Sequence, residues 1–126
     1  MSIMQFVNTR RYEIWLAELP LYAESHVQGG RRPVIIMNNT PESRFNALVT
    51  IIPLTSRFKR MDLKSHVEIN NTGLRKPSVA LCEQLQVINS KLLTRRLGFV
   101  KSPVERRKIE KAVMTYLGLD NTEKSA

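Results

Sequence analysis

The sequence contains few of the residues that build disulfides and metal sites. Its 126 residues include one cysteine, Cys82, and two histidines, His26 and His66. A single cysteine cannot form an intrachain disulfide, and one cysteine with two distant histidines does not match the ligand spacing of a structural zinc site. We therefore expect no structural metal.

Long hydrophobic runs are also absent. No apolar stretch approaches the ~18 residues of a membrane-spanning helix. The first residues, MSIMQFVNTRR, have no basic residue ahead of a short apolar patch, unlike a secretory signal. We expect a cytoplasmic protein without membrane association, a compartment in which a lone thiol is common.

Acidic residues are scarce relative to basic ones. Eleven Asp and Glu stand against 20 Lys and Arg, which leaves a net charge of +9. Such an excess favours polyanions through counterion release, so nucleic acid is the leading partner class. A basic protein without such a partner is the alternative.

The length and the 42% hydrophobic content are typical of one globular domain. Alternating or continuous apolar stretches, bounded by proline or polar residues, predict about five strands before residue 90. They are YEIWLAEL (12–19), VIIM (34–37), ALVTIIP (47–53), HVEI (66–69) and SVALCEQLQVI (78–88), the last broken near Glu83. The basic stretch between the third and fourth strands, 54–64, is predicted to be an exposed loop.

A C-terminal amphipathic helix follows. Ser102 is its predicted N-cap, Pro103 its first residue and Glu105 the acidic end of a capping box, and Gly118 ends it. The apolar face predicted to pack consists of Ile109, Ala112, Val113, Tyr116 and Leu117. The charged face predicted to be solvated consists of Arg106, Arg107, Lys108, Glu110 and Lys111. Short strands with a terminal helix predict a mainly β fold, a small curled sheet or barrel.

Most familiar catalytic motifs are missing, including a glycine-rich phosphate loop, an HExxH helix and a nucleophile elbow. RNA cleavage needs none of them, because the neighbouring 2′-hydroxyl can act as the nucleophile. It requires a group that accepts a proton, a group that donates one, and a cation that stabilises the phosphorane. The basic loops of this sequence carry candidates for these roles.

The segment VQGGRRPVIIMNN (27–39) places two glycines and an arginine pair before a strand. Glycines let the backbone approach a ligand closely, and the guanidinium fork suits phosphate, although an ordinary turn is the alternative. Thr55 and Ser56 follow the third strand as hydroxyl donors to phosphate, or form a solvated turn.

Further candidates surround these two segments. Phe58 with Arg57, Lys59 and Arg60 forms an aromatic and cationic set suited to single-stranded bases, unless Phe58 belongs to the core. His26 is a candidate auxiliary acid or base in its loop, whereas His66 is interpreted as an ordinary strand residue. Cys82, in an apolar strand, is predicted to be an inert buried thiol.

Four segments in order, RRYEIWLAELP, VQGGRRPVIIMNN, VTIIPLTSR and PSVALCEQLQVINSKLL, resemble the MazF/PemK family of toxin endoribonucleases over residues 10–119. The resemblance implies one toxin domain spanning 1–126, with flexible ends at 1–9 and 120–126. Its implied fold is a half-open SH3-like barrel with appended helices. Its implied assembly is a homodimer with a basic RNA channel along the interface.

The same resemblance implies site residues. Arg32 stands at the catalytic arginine and Thr55 at the hydroxyl that holds the scissile phosphate. The implied substrate-binding residues are Gln28, Gly29, Gly30, Ser56, Arg57, Phe58, Lys59, Arg60 and Gln84. Of these, Gln84 is a candidate reader of a base edge, and Glu83 beside it is interpreted as structural.

The family's activity implies cleavage of single-stranded mRNA at a short sequence, without metal or cofactor, that leaves 2′,3′-cyclic phosphate and 5′-hydroxyl ends. It also implies an antitoxin with an acidic, disordered tail that competes with RNA for the channel. Two departures stand out, since Val27 replaces the glutamate of many members and Tyr12-Glu13 replaces their glycine and acid. The alternatives are a CcdB-like gyrase poison, which would not depend on Arg32, and a barrel that binds RNA without cleaving it.

Overall fold

A computed structural model describes residues 8–21, 27–38 and 47–120 of the chain. In these segments the chain forms seven strands and one α-helix. They are β1 (Glu13–Leu19), β2 (Gly30–Ile36), β3 (Leu48–Thr55), β4 (His66–Ile69), β5 (Ser78–Leu81), β6 (Gln86–Asn89), β7 (Leu93–Phe99) and α1 (Pro103–Leu117). The polar segment between the second and third predicted strands (38–46), which we interpret as a connection, and the two predicted flexible ends lie largely outside the described residues. No helix in the described segments is long and apolar enough to cross a membrane.

The strands form one antiparallel sheet in the order β4-β5-β3-β2-β1-β7, and β6 also pairs with β3. The first half of β3 pairs with β6 and its last two residues pair with β5, so the sheet divides along this strand. Among the described residues β4 and β7 do not pair with each other, and the sheet is therefore not closed. The predicted mainly β architecture with a C-terminal helix is confirmed.

Apolar side chains are buried on both faces of the central strands, which explains their continuous hydrophobic runs. On β2, Ile35 belongs to the cluster that α1 covers, whereas Val34 and Ile36 belong to a second cluster on the opposite face. Helix α1 contributes Ile109 and Ala112 to the first cluster. This two-sided core holds β2 and β3 side by side, and both strands lead into the candidate site.

The strands follow the sequence prediction in part, since β2 begins at Gly30 rather than at residue 34 and β3 continues to Thr55 rather than ending at residue 53. The segment 78–88 is two strands, β5 and β6, separated by a single 3-10 turn (Cys82–Gln84), in agreement with the break predicted near Glu83. Strand β7 was not predicted. Its sequence, LTRRLGF, has adjacent arginines and lacks alternation because β7 is an edge strand that pairs only with β1 among the described strands.

The N-terminus of α1 matches the prediction in part. Ser102 accepts a hydrogen bond from the Glu105 main-chain N at 3.2 Å, and Pro103 opens the helix. The carboxylate of Glu105 does not complete a capping box, because it accepts a hydrogen bond from the Asn70 main-chain N at 2.9 Å. Gly118 ends the helix as predicted.

The faces of α1 also differ from the prediction. Ile109 and Ala112 are buried, but Tyr116 and Leu117 are exposed, because the helix contacts β4 and the Cys82–Gln84 turn at its middle and leaves its last turn at the surface. On the charged face, Arg106 is not simply solvated, since it donates to the Val100 carbonyl at 2.7 Å. Glu110 is not simply solvated either.

Tyr12 contacts both of these charged residues, Arg106 and Glu110. Its hydroxyl donates to the Glu110 carboxylate, and the Arg106 guanidinium lies 4.8 Å from its ring centroid. Tyr12 has φ of 75°, a left-handed conformation that favours glycine, at the place where the resembling family has glycine. The buried ring and its hydroxyl contact α1, and these contacts stabilise a tyrosine in this conformation.

Candidate functional site

Arg32 and Thr55 lie on neighbouring strands at one end of the sheet. In the register of β2 and β3, Val34 pairs with Pro53, and continuing it two residues further places Arg32 opposite Thr55. Because side chains alternate along a strand, both belong to the same face. Antiparallel pairing thus joins two residues that are far apart in sequence.

The guanidinium of Arg32 is anchored by main-chain oxygens. Its Nε donates to the Gly29 carbonyl at 3.0 Å and its Nη1 donates to the Leu54 carbonyl at 3.1 Å. A guanidinium carries more N–H donors than these two bonds use, so further donors remain for an anion. Burial, and secondarily the positive charge of Arg57, hold the pKa of Arg32 below its ordinary value.

Two glycines shape the backbone before Arg32. A side chain at Gly29 would place its Cβ 2.3 Å from the Pro20 carbonyl oxygen, a distance that no packing accommodates. Gly30 has φ of 79°, which L-residues with a side chain adopt at a cost. The glycine pair was predicted to let a ligand approach the backbone closely, and in the structure Gly29 lies against the residue that follows β1.

Gln28 and Gln84 meet beside this turn, although 56 positions separate them in sequence. The Gln84 side-chain oxygen accepts a hydrogen bond from the Gln28 main-chain N at 2.7 Å. Gln84 therefore stabilises the position of the segment that leads to Arg32. The sequence predicted that both residues belong to the site, but it did not predict this contact.

The β3–β4 loop (residues 56–65) supplies the opposite side of the site. Its residues Ser56, Arg57, Lys59 and Arg60, which we call the basic wall, are exposed as predicted. At its start, the Thr55 hydroxyl oxygen accepts a hydrogen bond from the Arg57 main-chain N at 3.1 Å. This bond leaves the Thr55 hydroxyl proton free to donate to a ligand.

Together these elements enclose an open depression of about 950 Å³. Most of the predicted site residues line it, namely Gln28, Arg32, Thr55, Gln84 and the basic wall. The lining also includes Arg31, Pro33, Leu54, Leu63, His66, Leu74, Lys76, Ser78, Leu81 and Glu83. The cations outnumber the one lining carboxylate, so the depression suits a polyanion with hydroxyl and amide groups to contact.

The structure separates some predicted residues from this depression. Phe58 is 45% exposed and therefore not part of the core, but it does not line the depression. His26 lies outside the described residues. Cys82 is fully buried, as expected of an inert thiol.

His66 and Glu83 form a pair in the depression that the sequence interpretation did not identify. The His66 Nε2 lies 3.2 Å from a Glu83 carboxylate oxygen. An alternating strand pattern places His66 on β4 but carries no information about the turn that approaches it. Among the described residues, no group of three or more His, Cys, Asp or Glu side chains could hold a metal ion.

A family model described as PemK-like, MazF-like toxin of type II toxin-antitoxin system matches residues 10–117. Among solved structures, the Mycobacterium tuberculosis toxin MazF-mt6 is 25% identical with a TM-score of 0.70, and the match covers 86% of this chain and 98% of that one.

Two further structures show the same fold. MazF from Deinococcus radiodurans is 22% identical with a TM-score of 0.72, over 90% of this chain and 99% of that one. An endoribonuclease from a mycobacterial species in complex with its cognate antitoxin is 22% identical with a TM-score of 0.71, over 89% and 97% of the respective chains.

Proposed function

Because the chain belongs to the PemK-like, MazF-like toxin family of type II toxin-antitoxin systems, we propose that it is an endoribonuclease acting on single-stranded mRNA in the cytoplasm. The observation that carries the proposal is the convergence of Arg32 and Thr55 in a depression lined by the basic wall. A phosphodiester seated there meets a guanidinium, a hydroxyl proton and flanking cations.

The reaction that fits these groups is transesterification. The 2′-oxygen attacks the adjacent phosphorus and loses its proton, the bond to the 5′-oxygen breaks, and the leaving oxygen gains a proton. The products are a 2′,3′-cyclic phosphate and a 5′-hydroxyl. The nucleophile comes from the RNA itself, and Arg32 supplies the cation, so we expect cleavage to proceed without a metal ion.

In this reaction Arg32 stabilises the charge that develops on the phosphorane oxygens. Its two bonds to carbonyl oxygens hold the guanidinium in place before substrate arrives, and such preorganisation lowers the barrier. Its lowered pKa also makes it a better proton donor to the leaving oxygen than an ordinary arginine. Thr55 donates its hydroxyl proton to a phosphate oxygen.

The remaining lining residues bind the flanking RNA. The basic wall contacts neighbouring phosphates, and Gln84 and Gln28 present amide groups that read base edges at a short recognition sequence. Phe58, exposed beside the basic wall, stacks on a base outside the depression. Gly29 and Gly30, predicted to bind substrate, do not line the depression themselves, and they act by shaping the turn that leads to Arg32.

We further propose that the toxin forms a homodimer and that an acidic antitoxin segment occupies the same basic depression. The mycobacterial endoribonuclease solved with its cognate antitoxin supports an antitoxin partner for this chain. The charge of +9 favours such a partner. Antitoxin and RNA then compete for one surface.

The direct test incubates the purified chain and an Arg32→Ala variant with mixed-sequence single-stranded RNA in EDTA, followed by mapping of the product ends. We expect the parent to produce cyclic-phosphate and 5′-hydroxyl ends at one short sequence. The variant should lose on the order of 10²–10³-fold in rate. Arg107→Ala, which removes the same charge from the exposed face of α1, is the matched control and should cleave like the parent.

Two results would overturn the proposal. RNA that binds to the parent and stays intact would indicate a binding protein rather than a nuclease. Inhibition of DNA gyrase that persists in the Arg32→Ala variant would indicate a gyrase poison.

A further inference from the structure

His66 occupies a closed position between two oxygen atoms. Its Nδ1 lies 3.1 Å from the Lys59 main-chain carbonyl oxygen, and its Nε2 lies 3.2 Å from the Glu83 carboxylate. The side chain is only 9% exposed, and that of Glu83 is 25% exposed. The ring therefore connects the Cys82–Gln84 turn to the basic wall.

Both neighbours of the ring are hydrogen-bond acceptors. Burial raises the pKa of Glu83, but hydrogen bonds from Ser65, from its own main-chain N–H and from His66 outweigh that effect and hold the pKa below its ordinary value. The carboxylate is thus ionised at neutral pH and accepts only. A neutral imidazole has one N–H, so only the doubly protonated ring makes both contacts.

Other charged groups surround the pair. Asp62 in the β3–β4 loop is close enough for His66 to contribute to lowering its pKa, after the larger effect of Arg60. Arg32, Arg57 and Lys76 line the same depression. The adjacent strand β5 carries no charged side chain. On α1, the Glu105 carboxylate accepts a hydrogen bond from the Asn70 main-chain N, just after β4.

The Cys82–Gln84 turn contacts both sides of the depression. Glu83 reaches the basic wall through His66, and the Cys82 main-chain N donates to the Ser65 carbonyl at 2.9 Å at the other end of the loop. The next residue, Gln84, accepts from the Gln28 main chain beside the glycine turn. One short turn therefore contacts both the β3–β4 loop and the segment that leads to Arg32.

We propose that His66 is a positioning residue that links Glu83 to the main chain of Lys59 and holds the basic wall at a fixed distance from Arg32 and Thr55. This proposal rests on the proposed RNA-cleaving function. The link is complete only with a doubly protonated ring, because both of its partners are hydrogen-bond acceptors.

The first test needs no RNA, so it is independent of the proposed function. Limited trypsin digestion of the native protein reports the opening of the β3–β4 loop, because Arg57, Lys59, Arg60 and Lys64 are trypsin sites. Rates are normalised to cleavage of a small substrate. We expect loss of the link to raise the rate of cutting in the loop about tenfold, the effect of losing one charge-assisted hydrogen bond.

Three variants sharpen this test. His66→Leu removes both contacts and should be cut at this faster rate. Glu83→Gln should be cut about as slowly as the parent, because the introduced amide donates to the lone pair of the neutral ring while Nδ1–H still donates to Lys59. Glu68→Gln, an exposed carboxylate on β4, is the matched control and should behave like the parent.

The second test measures RNA cleavage. We expect His66→Leu to raise KM about tenfold with kcat nearly unchanged. A fall in kcat at constant KM would assign His66 to the reacting atoms and overturn the proposal. So would digestion rates that His66→Leu leaves unchanged. If the parent cleaves no RNA, the proposed function fails, and the digestion profile alone decides whether the link exists.

Discussion

The turn that leads into β2 and Arg32 depends on a glycine at position 29. Its carbonyl accepts the Arg32 Nε–H at 3.0 Å, and the space where a side chain would lie is filled by the Pro20 carbonyl. A methyl group there must push the turn away from β1. The guanidinium then loses both its anchor and its alignment with Thr55.

We predict that Gly29→Ala lowers kcat/KM for RNA on the order of 10²-fold, since small displacements of a catalytic group have effects of that size. The measurement is cleavage of a defined oligonucleotide, with circular dichroism as the check on folding. Gly118→Ala is the control: its φ of 73° makes alanine locally strained at the end of α1, but its Cβ meets nothing within 4 Å and cleavage should be unchanged. Equal activity of Gly29→Ala and the parent would show that the turn does not align Arg32.

Cys82 provides a second prediction at this scale. Burial, with a smaller contribution from the charge of Glu83, raises the pKa of the thiol to about 12, so the reactive thiolate is scarce at neutral pH. We expect an aromatic disulfide reagent to label the native protein only as fast as the protein unfolds. Labelling in denaturant should be immediate. Rapid labelling of the native state would contradict the burial of this side chain.

At the scale of elements, two side chains at the start of α1 stabilise the helix through different contacts. Ser102 caps the first turn, and Glu105 binds the main chain that follows β4. The helix is therefore joined to the sheet by a polar contact as well as by Ile109 and Ala112. That contact fixes the end of β4 whose other end carries His66.

We expect Ser102→Ala to lower the free energy of unfolding by about 1 kcal/mol, the usual cost of losing an N-cap. Urea denaturation followed by circular dichroism measures the change. Lys111→Ala, an exposed substitution on the same helix, is the control and should change the stability little. An unchanged midpoint for Ser102→Ala would mean that the cap contributes nothing to stability.

At the scale of the whole molecule, the charge of +9 is the property that governs binding to RNA and to an acidic antitoxin. Part of this charge is concentrated in the depression, whereas Arg107, Lys108 and Lys111 lie exposed on α1. Only cations that contact phosphates release counterions on binding. Salt dependence therefore distinguishes the basic wall from the rest of the surface.

We predict that the affinity for single-stranded RNA falls with salt and that Lys59→Ala reduces the slope of log K against log salt by about 0.7, the value for one phosphate contact. Fluorescence anisotropy with a labelled oligonucleotide across a salt series measures this slope. Lys108→Ala should leave the slope unchanged. If both variants changed it equally, binding would be spread over the whole surface.

Local patterns were sufficient for much of the fold. Apolar runs bounded by proline or polar residues located β1, β3 and β4, and the cap and spacing located α1, because these signals depend on neighbours in sequence. The same reasoning missed β7, whose arginines are tolerated because it lies at the sheet edge. It also extended the packed face of α1 to Tyr116 and Leu117, because periodicity shows which side chains share a face but not how far the partner surface extends.

The site divides in the same way. The sequence by itself determined the excess of positive charge, the glycine-arginine turn, the exposed basic loop and the order of motifs that indicated the family. Only the tertiary structure decided that Arg32 lies opposite Thr55, that Gln84 braces Gln28, and that His66 joins Glu83 to Lys59. The physical reason is that each of these contacts joins segments from different strands or turns, and the register and bending of the sheet that bring them together depend on the packing of the whole core.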